Sequence, residues 1–339
     1  MWENVLLSIV IPVFNETEAL PELLPALRAV LSKIDCDYEL LFVNDGSSDH
    51  TQEALVQAGL EDPRVKVVGF SRNFGHQVAV TAGLDFASGD AVVVMDADLQ
   101  DPPELLPQMV ALYREGYQVV SAQRVKRKGE SIFKRATASG FYWVMRTLVD
   151  RRLQPEVGDF RLFSREAVVA IRRFREQHRF MRGLVAWLGL REAILPFERQ
   201  PRVAGETKYP LGKMMKFAWT AVASFSALPL RLTISGGMIV AALGFLYAIY
   251  SAYEGLVLHH TVPGWTSLIC LVTIFSGAIL VAIGLVGDYV GRIFEEAKGR
   301  PLYIVSSLIN VDTPVELPDR ALVVEERTAS TKGKVVGAR

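Results

Sequence analysis

Two carboxylates one residue apart, Asp96 and Asp98, close the apolar run Ala91-Val92-Val93-Val94-Met95. At the end of a strand such a pair can share a divalent cation, one directly and one through water or a ribose. Mg2+ prefers oxygen ligands and keeps company with substrate phosphates. Gln100 offers a further oxygen, and Asp101-Pro102-Pro103 turns the chain. An isolated Asp-x-Asp also terminates strands or caps helices, so its position carries the reading. Three more junctions place polar groups after apolar runs. In Val43-Asn44-Asp45-Gly46-Ser47-Ser48-Asp49, Asp45 could accept hydrogen bonds from a base or ribose. Gly46 permits a tight turn and Ser48 or Asp49 can cap the next helix, which reads Asp49 as structural. Pro12-Val13-Phe14-Asn15-Glu16 aims Glu16 at the same edge, with a helix start as its alternative. In Ser71-Arg72-Asn73-Phe74-Gly75-His76, Arg72 suits a diphosphate or base, and Gly75 allows close backbone approach. There is no Walker loop and no Gly-x-Gly-x-x-Gly after the first apolar run, which disfavours a kinase, a P-loop ATPase or a standard dinucleotide dehydrogenase.

The elements that must position these residues alternate. Strands are predicted at Leu7–Val13, Tyr38–Asn44, Val65–Phe70, Ala91–Asp96 and Gln118–Ala122. Helices are predicted at Glu18–Ile34, Asp49–Ala58, His76–Ala87 and Pro103–Glu115. Strand–helix alternation with short connections implies an α/β, doubly wound, mainly parallel sheet, with ligands at the carboxyl ends of its strands. The apolar run Val5–Phe14, broken by Pro12, reads as a first strand rather than a signal peptide. Cys36 and Cys270 offer neither a disulfide framework nor metal-ligand spacing and read as packing residues.

The chain of 339 residues carries 37 basic and 37 acidic side chains, but the balance is uneven along it. Residues 1–120 hold 6 Lys/Arg against 19 Asp/Glu, and residues 121–230 hold 22 against 9. A −13 module is therefore succeeded by a +13 one, and the half-apolar composition excludes a wholly disordered chain.

No charged residue occurs from Leu232 to Tyr253 or from Gly255 to Gly287. About 20 apolar residues span a bilayer as a helix. Two transmembrane helices are therefore predicted at 231–253 and 265–287, a pair of buried core helices being the alternative. Lys213, Lys216 and Arg231 precede the pair, Arg292, Lys298 and Arg300 come after it, and the connection Glu254–Gly264 has no Lys or Arg. By the positive-inside rule both ends face the cytoplasm, with Tyr247, Tyr250, Tyr253 and Trp265 near the outer interface. Gly237, Gly244, Gly277, Gly284, Gly287 and Gly291 could permit close helix packing, though glycine is common in membrane helices. The basic, aromatic stretch with Arg124, Lys126, Arg127, Lys128, Phe133, Lys134, Arg135, Phe141, Tyr142, Trp143 and Val144 reads as an amphipathic helix on an anionic membrane surface, a solvated face on a soluble helix being the alternative. Lys213–Pro229 reads as a second interfacial helix, and the tail from Asp312 as disordered.

Three strand-end motifs in order, Pro12-Val13-Phe14-Asn15-Glu16, Asn44-Asp45-Gly46-Ser47-Ser48-Asp49 and Asp96-Ala97-Asp98-Leu99-Gln100, resemble the GT-A-fold family 2 glycosyltransferases. Gly158-Asp159-Phe160-Arg161-Leu162-Phe163, Arg179-Phe180-Met181-Arg182-Gly183-Leu184 and Arg202-x-x-Gly205-Glu206-Thr207-Lys208-Tyr209 resemble its polyprenyl-phosphate branch, which includes dolichol-phosphate mannose synthases and bactoprenol glucosyltransferases. The resemblance runs from residue 7 to about 300. It implies a nucleotide-sugar donor, Mg2+ or Mn2+, a polyprenyl phosphate acceptor, inverting transfer and often a homo-oligomer. With the charged flanks of the two spans, the expected location is the inner face of the plasma membrane, and no nucleic-acid partner is expected. The resemblance places Pro12, Asn15, Glu16 and Asp45 around the nucleotide and Asp96 near the ribose and metal, with Asp98 and Gln100 as metal ligands. It places Asp159 beside the reacting centre and Arg124, Arg202 and Lys208 on phosphates. Thr207 stands where the family often has Ser, keeping the hydroxyl.

The implied domain organisation is a nucleotide-sugar-binding core at 1–122, an acceptor-binding and interfacial region at 123–230, the two spans, a cytoplasmic segment at 288–311 and the tail. The expected catalytic residues are Asp159 and Asp96, with Arg161, Arg179, Arg182 and Lys208 gathering the acceptor phosphate. A turn or an ion pair with Arg161 is the alternative role for Asp159. UDP-glucose is the preferred donor; galactose, N-acetylglucosamine, mannose on GDP and modified arabinose stay open. Two other functions compete. A processive polysaccharide synthase shares the Asp-x-Asp domain, but Gln177-His178-Arg179-Phe180 lacks its Gln-x-x-Arg-Trp and two helices make a poor channel. The other is a membrane scaffold that only binds nucleotide.

Overall fold

The computed structural model describes residues 5–125, 157–197, 228–256, 264–311 and 320–323. The chain divides into two compact units: residues 1–139, 152–209 and 301–339 form one, and residues 140–151 and 210–300 the other. The first contains β1 (Leu6–Val13), α1 (Leu20–Leu31), β2 (Asp37–Asn44), α2 (Thr51–Glu61), β3 (Val65–Phe70), α3 (His76–Phe86) and β4 (Ala91–Val94). A 3-10 turn at Pro103–Leu105 leads into α4 (Leu106–Arg114), β5 (Val119–Arg124), β6 (Val157–Ser164), α5 (Arg165–Arg172), α6 (Met181–Leu188) and β7 (Glu192–Phe197). Beyond the second unit come β8 (Tyr303–Ile309) and β9 (Ala321–Val323).

The nine strands form one sheet in the order β7-β5-β6-β4-β1-β2-β3-β8-β9. The centre, β4-β1-β2-β3, is parallel. Its strands are Val-, Ile- and Leu-rich without alternation because both faces are covered. Ile9 and Ile11 join one core layer with Phe42, Leu23 and Leu27, while Val10 joins the other with Leu41, Val68 and Val80. The expected doubly wound arrangement is present, but three pairings are antiparallel: β4 with β6, β5 with β6 and β3 with β8. The sheet is therefore mixed, and it is not completed within residues 1–122. β6 and β7 come from the region assigned to the acceptor, β8 from the segment after the predicted spans, and β9 from the predicted disordered tail. Edge strands need hydrogen-bonding partners, and β8 supplies those of β3 through pairs running from Val67–Ile309 to Phe70–Val305.

Antiparallel β6 starts at the carboxyl edge of its parallel neighbours. Val94 pairs with Arg161, so continuing the register by two residues sets Asp159 across from Asp96. The chain segments 126–156 and 198–227, which hold most of both predicted interfacial helices, lie outside the described residues; Arg124, counted with the first, ends β5 instead, and Leu228 and Pro229, at the end of the second, open a long helix.

α3 is anchored at both its middle and its end. Gly83 faces β1 so closely that a Cβ there would overlap the Val10 side chain. At its far end Arg172 donates to the Leu84 and Ala87 carbonyls (2.8 and 2.9 Å) and Arg165 to Ala87 (2.9 Å). Cations suit the carbonyl-rich end of a helix. Arg175 and the Tyr303 hydroxyl both bond the buried Asp85 carboxylate, at 2.9–3.0 and 2.8 Å. Several arginines of the basic module are thus internal.

The second unit contains α7 (Leu228–Leu256) and α8 (Trp265–Ala297), of 29 and 33 residues. Phe275 packs against Gly244, where a Cβ would lie 3.0 Å from the ring. Among the described residues, one stretch, Phe275–Ala297 of α8, is long and apolar enough to cross a membrane; Leu232–Tyr247 of α7 is a shorter apolar run.

Gly83→Ala is expected to destabilise the protein by about 1–3 kcal/mol, because overpacking displaces α3 from β1. Thermal unfolding should show a lowered Tm, and an unchanged Tm would refute the packing described.

Candidate active site

The loops leaving β1, β2 and β3 are knitted together. Asn15 adopts a left-handed backbone (φ 56°), and its Oδ1 accepts the Ser48 N–H at 2.8 Å. Asn15 N–H donates to Ser47 Oγ (3.0 Å), whose hydroxyl donates to Asn44 Oδ1 (2.6 Å). Glu16 N–H donates to Thr51 Oγ1 (2.9 Å), and Asp49 accepts from the Thr17 hydroxyl (2.7 Å) and Thr51 N–H (3.1 Å). The structural reading of Asp49 therefore stands. Asp45 is buried, with Oδ1 accepting Phe74 N–H (2.7 Å) and Oδ2 accepting Gly75 N–H (2.9 Å). Burial raises its pKa and those two amides oppose the rise. Gly46 (φ 66°) sits against the Arg72 backbone, where a side chain would have no room. Of the predicted nucleotide residues, Pro12 lies within β1 beside Val43, while Asn15, Glu16 and Asp45 share this platform. Arg72 is exposed, stacks over Phe74 at 4.0 Å and donates to the Asn73 carbonyl.

The loop after β4 bends sharply: Asp98 Oδ1 accepts the Gln100 N–H at 3.2 Å, and Leu99 has φ 56°. A bulky residue in that region is strained, and such strain clusters at functional sites. Asp101, read from sequence only as a turn, is buried and accepts the Asp96 N–H at 3.2 Å. Burial and the neighbouring Asp96 charge push its pKa to about 7, and Arg124 Nη2 stands 3.8 Å away. Burial likewise raises Asp96, helped by the charges of Asp159 and Asp98.

Asp159 draws the cations. Arg182 Nε donates to its Oδ1 at 3.2 Å and Gln77 Nε2 to its Oδ2 at 3.1 Å. His76 Nε2 lies 3.5 Å from Asp159 and 3.7 Å from Asp96, at the start of α3. Burial would raise the Asp159 pKa, but Arg182, His76 and Arg161 outweigh it and hold the group well below the usual carboxylate range. Burial would lower His76, yet the Asp159 bond and the two carboxylate charges lift it to about 9. Arg161 is buried between Asp159 and Glu192 and donates to the Gly158 carbonyl at 3.2 Å. The ion-pair alternative for Asp159 is thus real, but its direct partners are Arg182 and His76.

Of the predicted phosphate-binding cations, Arg161 and Arg182 reach this group and Arg124 flanks Asp101. Arg179 does not: it is 6% exposed, donates to the Phe174 carbonyl and lies in the field of Asp85. Its place is the buried cluster at the far end of α3. Arg202 and Lys208 lie outside the described residues. His76 closes the motif flagged after β3 but was given no role there, and Gln77, the next residue, escaped the sequence reading; their partner Asp159 is about 80 residues away.

Among the described residues no three His, Cys, Asp or Glu side chains could together hold a metal ion. The donor set fits a shared cation instead. Asp96 and Asp98 offer two carboxylates that repel one another, and Mg2+ is commonly held by one or two carboxylates with substrate phosphates completing the shell.

The glycosyl transferase family 2 model matches residues 8–172. An uncharacterised glycosyltransferase of Bacillus subtilis is 46% identical over 92% of this chain and 97% of its own. One from Synechocystis is 43% identical over 89% and 95%. The bactoprenol glucosyl transferase of Shigella phage SfV is 38% identical over 89% and 98%. Among solved structures, glucosyl-3-phosphoglycerate synthase from Mycobacterium tuberculosis is similar at 20% identity and a TM-score of 0.47, over 65% of this chain and 78% of that one. With loops, carboxylates and near-full-length likeness pointing one way, the chain is an enzyme that belongs to glycosyl transferase family 2.

Proposed function

We propose that this enzyme transfers glucose from UDP-glucose to undecaprenyl phosphate, with inversion, at the cytoplasmic face of the membrane. The observation that carries the reading is the facing of Asp159 and Asp96 at the strand ends, with Asp98 beside them, in a chain similar to bactoprenol glucosyl transferases over nearly its whole length.

The chemistry needs no strong base. An acceptor phosphate oxygen, anionic near neutral pH, forms a bond to the anomeric carbon while that carbon's bond to the nucleoside diphosphate breaks. The electron pair leaves with the diphosphate. Asp159, kept ionised by Arg182 and His76, accepts a hydrogen bond from a sugar hydroxyl and orients the reacting groups. Arg161 and Arg182 lend positive charge to the approaching acceptor phosphate. Asn15, Glu16, Asp45 and Arg72 bound the nucleotide side. Mg2+ or Mn2+, held by Asp96, Asp98 and Gln100, would supply electrostatic stabilisation of the departing diphosphate. Arg124, Arg202 and Lys208 complete the proposed phosphate contacts.

Both α7 and α8 are assigned to the bilayer. Leu232, Met238 and Phe245 on α7 and Leu280, Val281 and Ile283 on α8 are exposed, which costs little only in an apolar solvent. Chain topology supports an even number of crossings. β8 comes after α8 yet pairs with β3, which precedes α7, so a single crossing would put paired strands on opposite sides. The flanking Lys and Arg then favour the cytoplasm for the sheet. A homo-oligomer is the proposed assembly.

Full-length protein with Mg2+, labelled UDP-glucose and undecaprenyl phosphate should yield a lipid-linked monosaccharide; a polymer, or no turnover of any nucleotide sugar in a panel, would overturn the reading. A chelator should abolish transfer, and added Mg2+ or Mn2+ should restore it. Asp98→Ala or Asp159→Ala should eliminate transfer while membrane insertion persists, and full activity of either variant would remove that residue from its role.

A further inference from the structure

We propose that Gln77, in the first turn of α3, is a positioning residue for Asp159 that fixes how its carboxylate is presented to the substrate. The inference rests on the reading of Asp159 as the carboxylate beside the reacting centre.

The geometry leaves Gln77 one orientation. Its Oε1 accepts the Met181 N–H at 3.1 Å, and its Nε2 donates to Asp159 Oδ2 at 3.1 Å. A backbone N–H only donates and an ionised carboxylate only accepts, so a flipped amide would lose both bonds. The main-chain carbonyl of Gln77 accepts the hydroxyl of buried Thr81 at 2.8 Å, which adds to the backbone bonds of this first turn. The other carboxylate oxygen, Oδ1, takes its bond from Arg182 on α6 at 3.2 Å. Each oxygen of Asp159 therefore has a donor from a different helix, and the carboxylate cannot turn without breaking one bond. Gln77 also ties those helices together, since Met181 opens α6 one residue before Arg182. Asp159 is only 13% exposed in its side chain, so little of it is free for water to bond in place of a lost donor.

A placement error of about 1 Å in a reacting array can cost about a hundredfold in rate. Two variants of the full-length protein separate positioning from packing. Gln77→Glu keeps an oxygen for the Met181 N–H but cannot donate to Asp159 when ionised; Gln77→Met removes both bonds. Gln77→Glu is expected to lower kcat by about tenfold or more, with donor KM within about twofold and Tm unchanged. Wild-type kcat in Gln77→Glu would overturn the proposal, as would a loss of kcat accompanied by the same fall in Tm as in Gln77→Met. A second readout does not depend on turnover. The side-chain amide resonance of Gln77, assigned by its disappearance in Gln77→Glu, should shift in Asp159→Asn. An unmoved resonance would refute the contact whichever reaction the enzyme catalyses, whereas a wild-type chain inactive toward every donor would sink the functional reading alone.

Discussion

Like charges crowd the carboxyl edge of this sheet, and the arrangement around it comes from keeping them tolerable. Asp96, Asp98, Asp101 and Asp159 act on one another, and burial alone would neutralise most of them. The protein answers unevenly. Asp159 receives Arg182, His76 and Arg161 and stays charged. Asp101 receives a distant Arg124 and titrates near neutrality. Asp96 is pushed up by burial and by the charges of Asp159 and Asp98, with His76 opposing the rise from 3.7 Å. Two carboxylates with different surroundings on one edge can take different roles, one orienting and one sharing a cation.

The division of charge along the chain thereby acquires a structural meaning. Part of the basic module's charge answers carboxylates of the acidic module, as in Arg124 with Asp101 and Arg175 with Asp85. Another part closes the carbonyl end of α3 through Arg165 and Arg172. Both ends of one helix are therefore held by residues from beyond β6. The start of α3 meets the candidate site, and its end meets the polar cluster around Asp85 and Tyr303.

Local features of the sequence were legible where local physics decides them. The Val- and Ile-rich runs place the first five strands within two residues at each end, and Asp-x-Asp after β4 marks the edge where ligands bind. The left-handed Gly46 turn was readable from its type and place. Long-range placement was not. Nothing near Asp159 announces that β6 would run antiparallel between β4 and β5 and bring it opposite Asp96. Arg179 looked like its neighbour Arg182, but they lie three residues apart on either side of the start of α6 and reach different partners. Tyr303 and Val305, in a segment read from sequence only as cytoplasmic, belong to the core.

The late arrival of β8 has a consequence for biogenesis. Asn310 bonds the Gly59 carbonyl across 251 positions of sequence, and β3 has no neighbour on that side until β8 is in place. During synthesis the nearly finished sheet must wait with an open strand edge while both long helices are made. Pairings so distant in sequence form slowly, and open edges invite aggregation in the interval. A chain cut short before Tyr303 would keep that edge of β3 open.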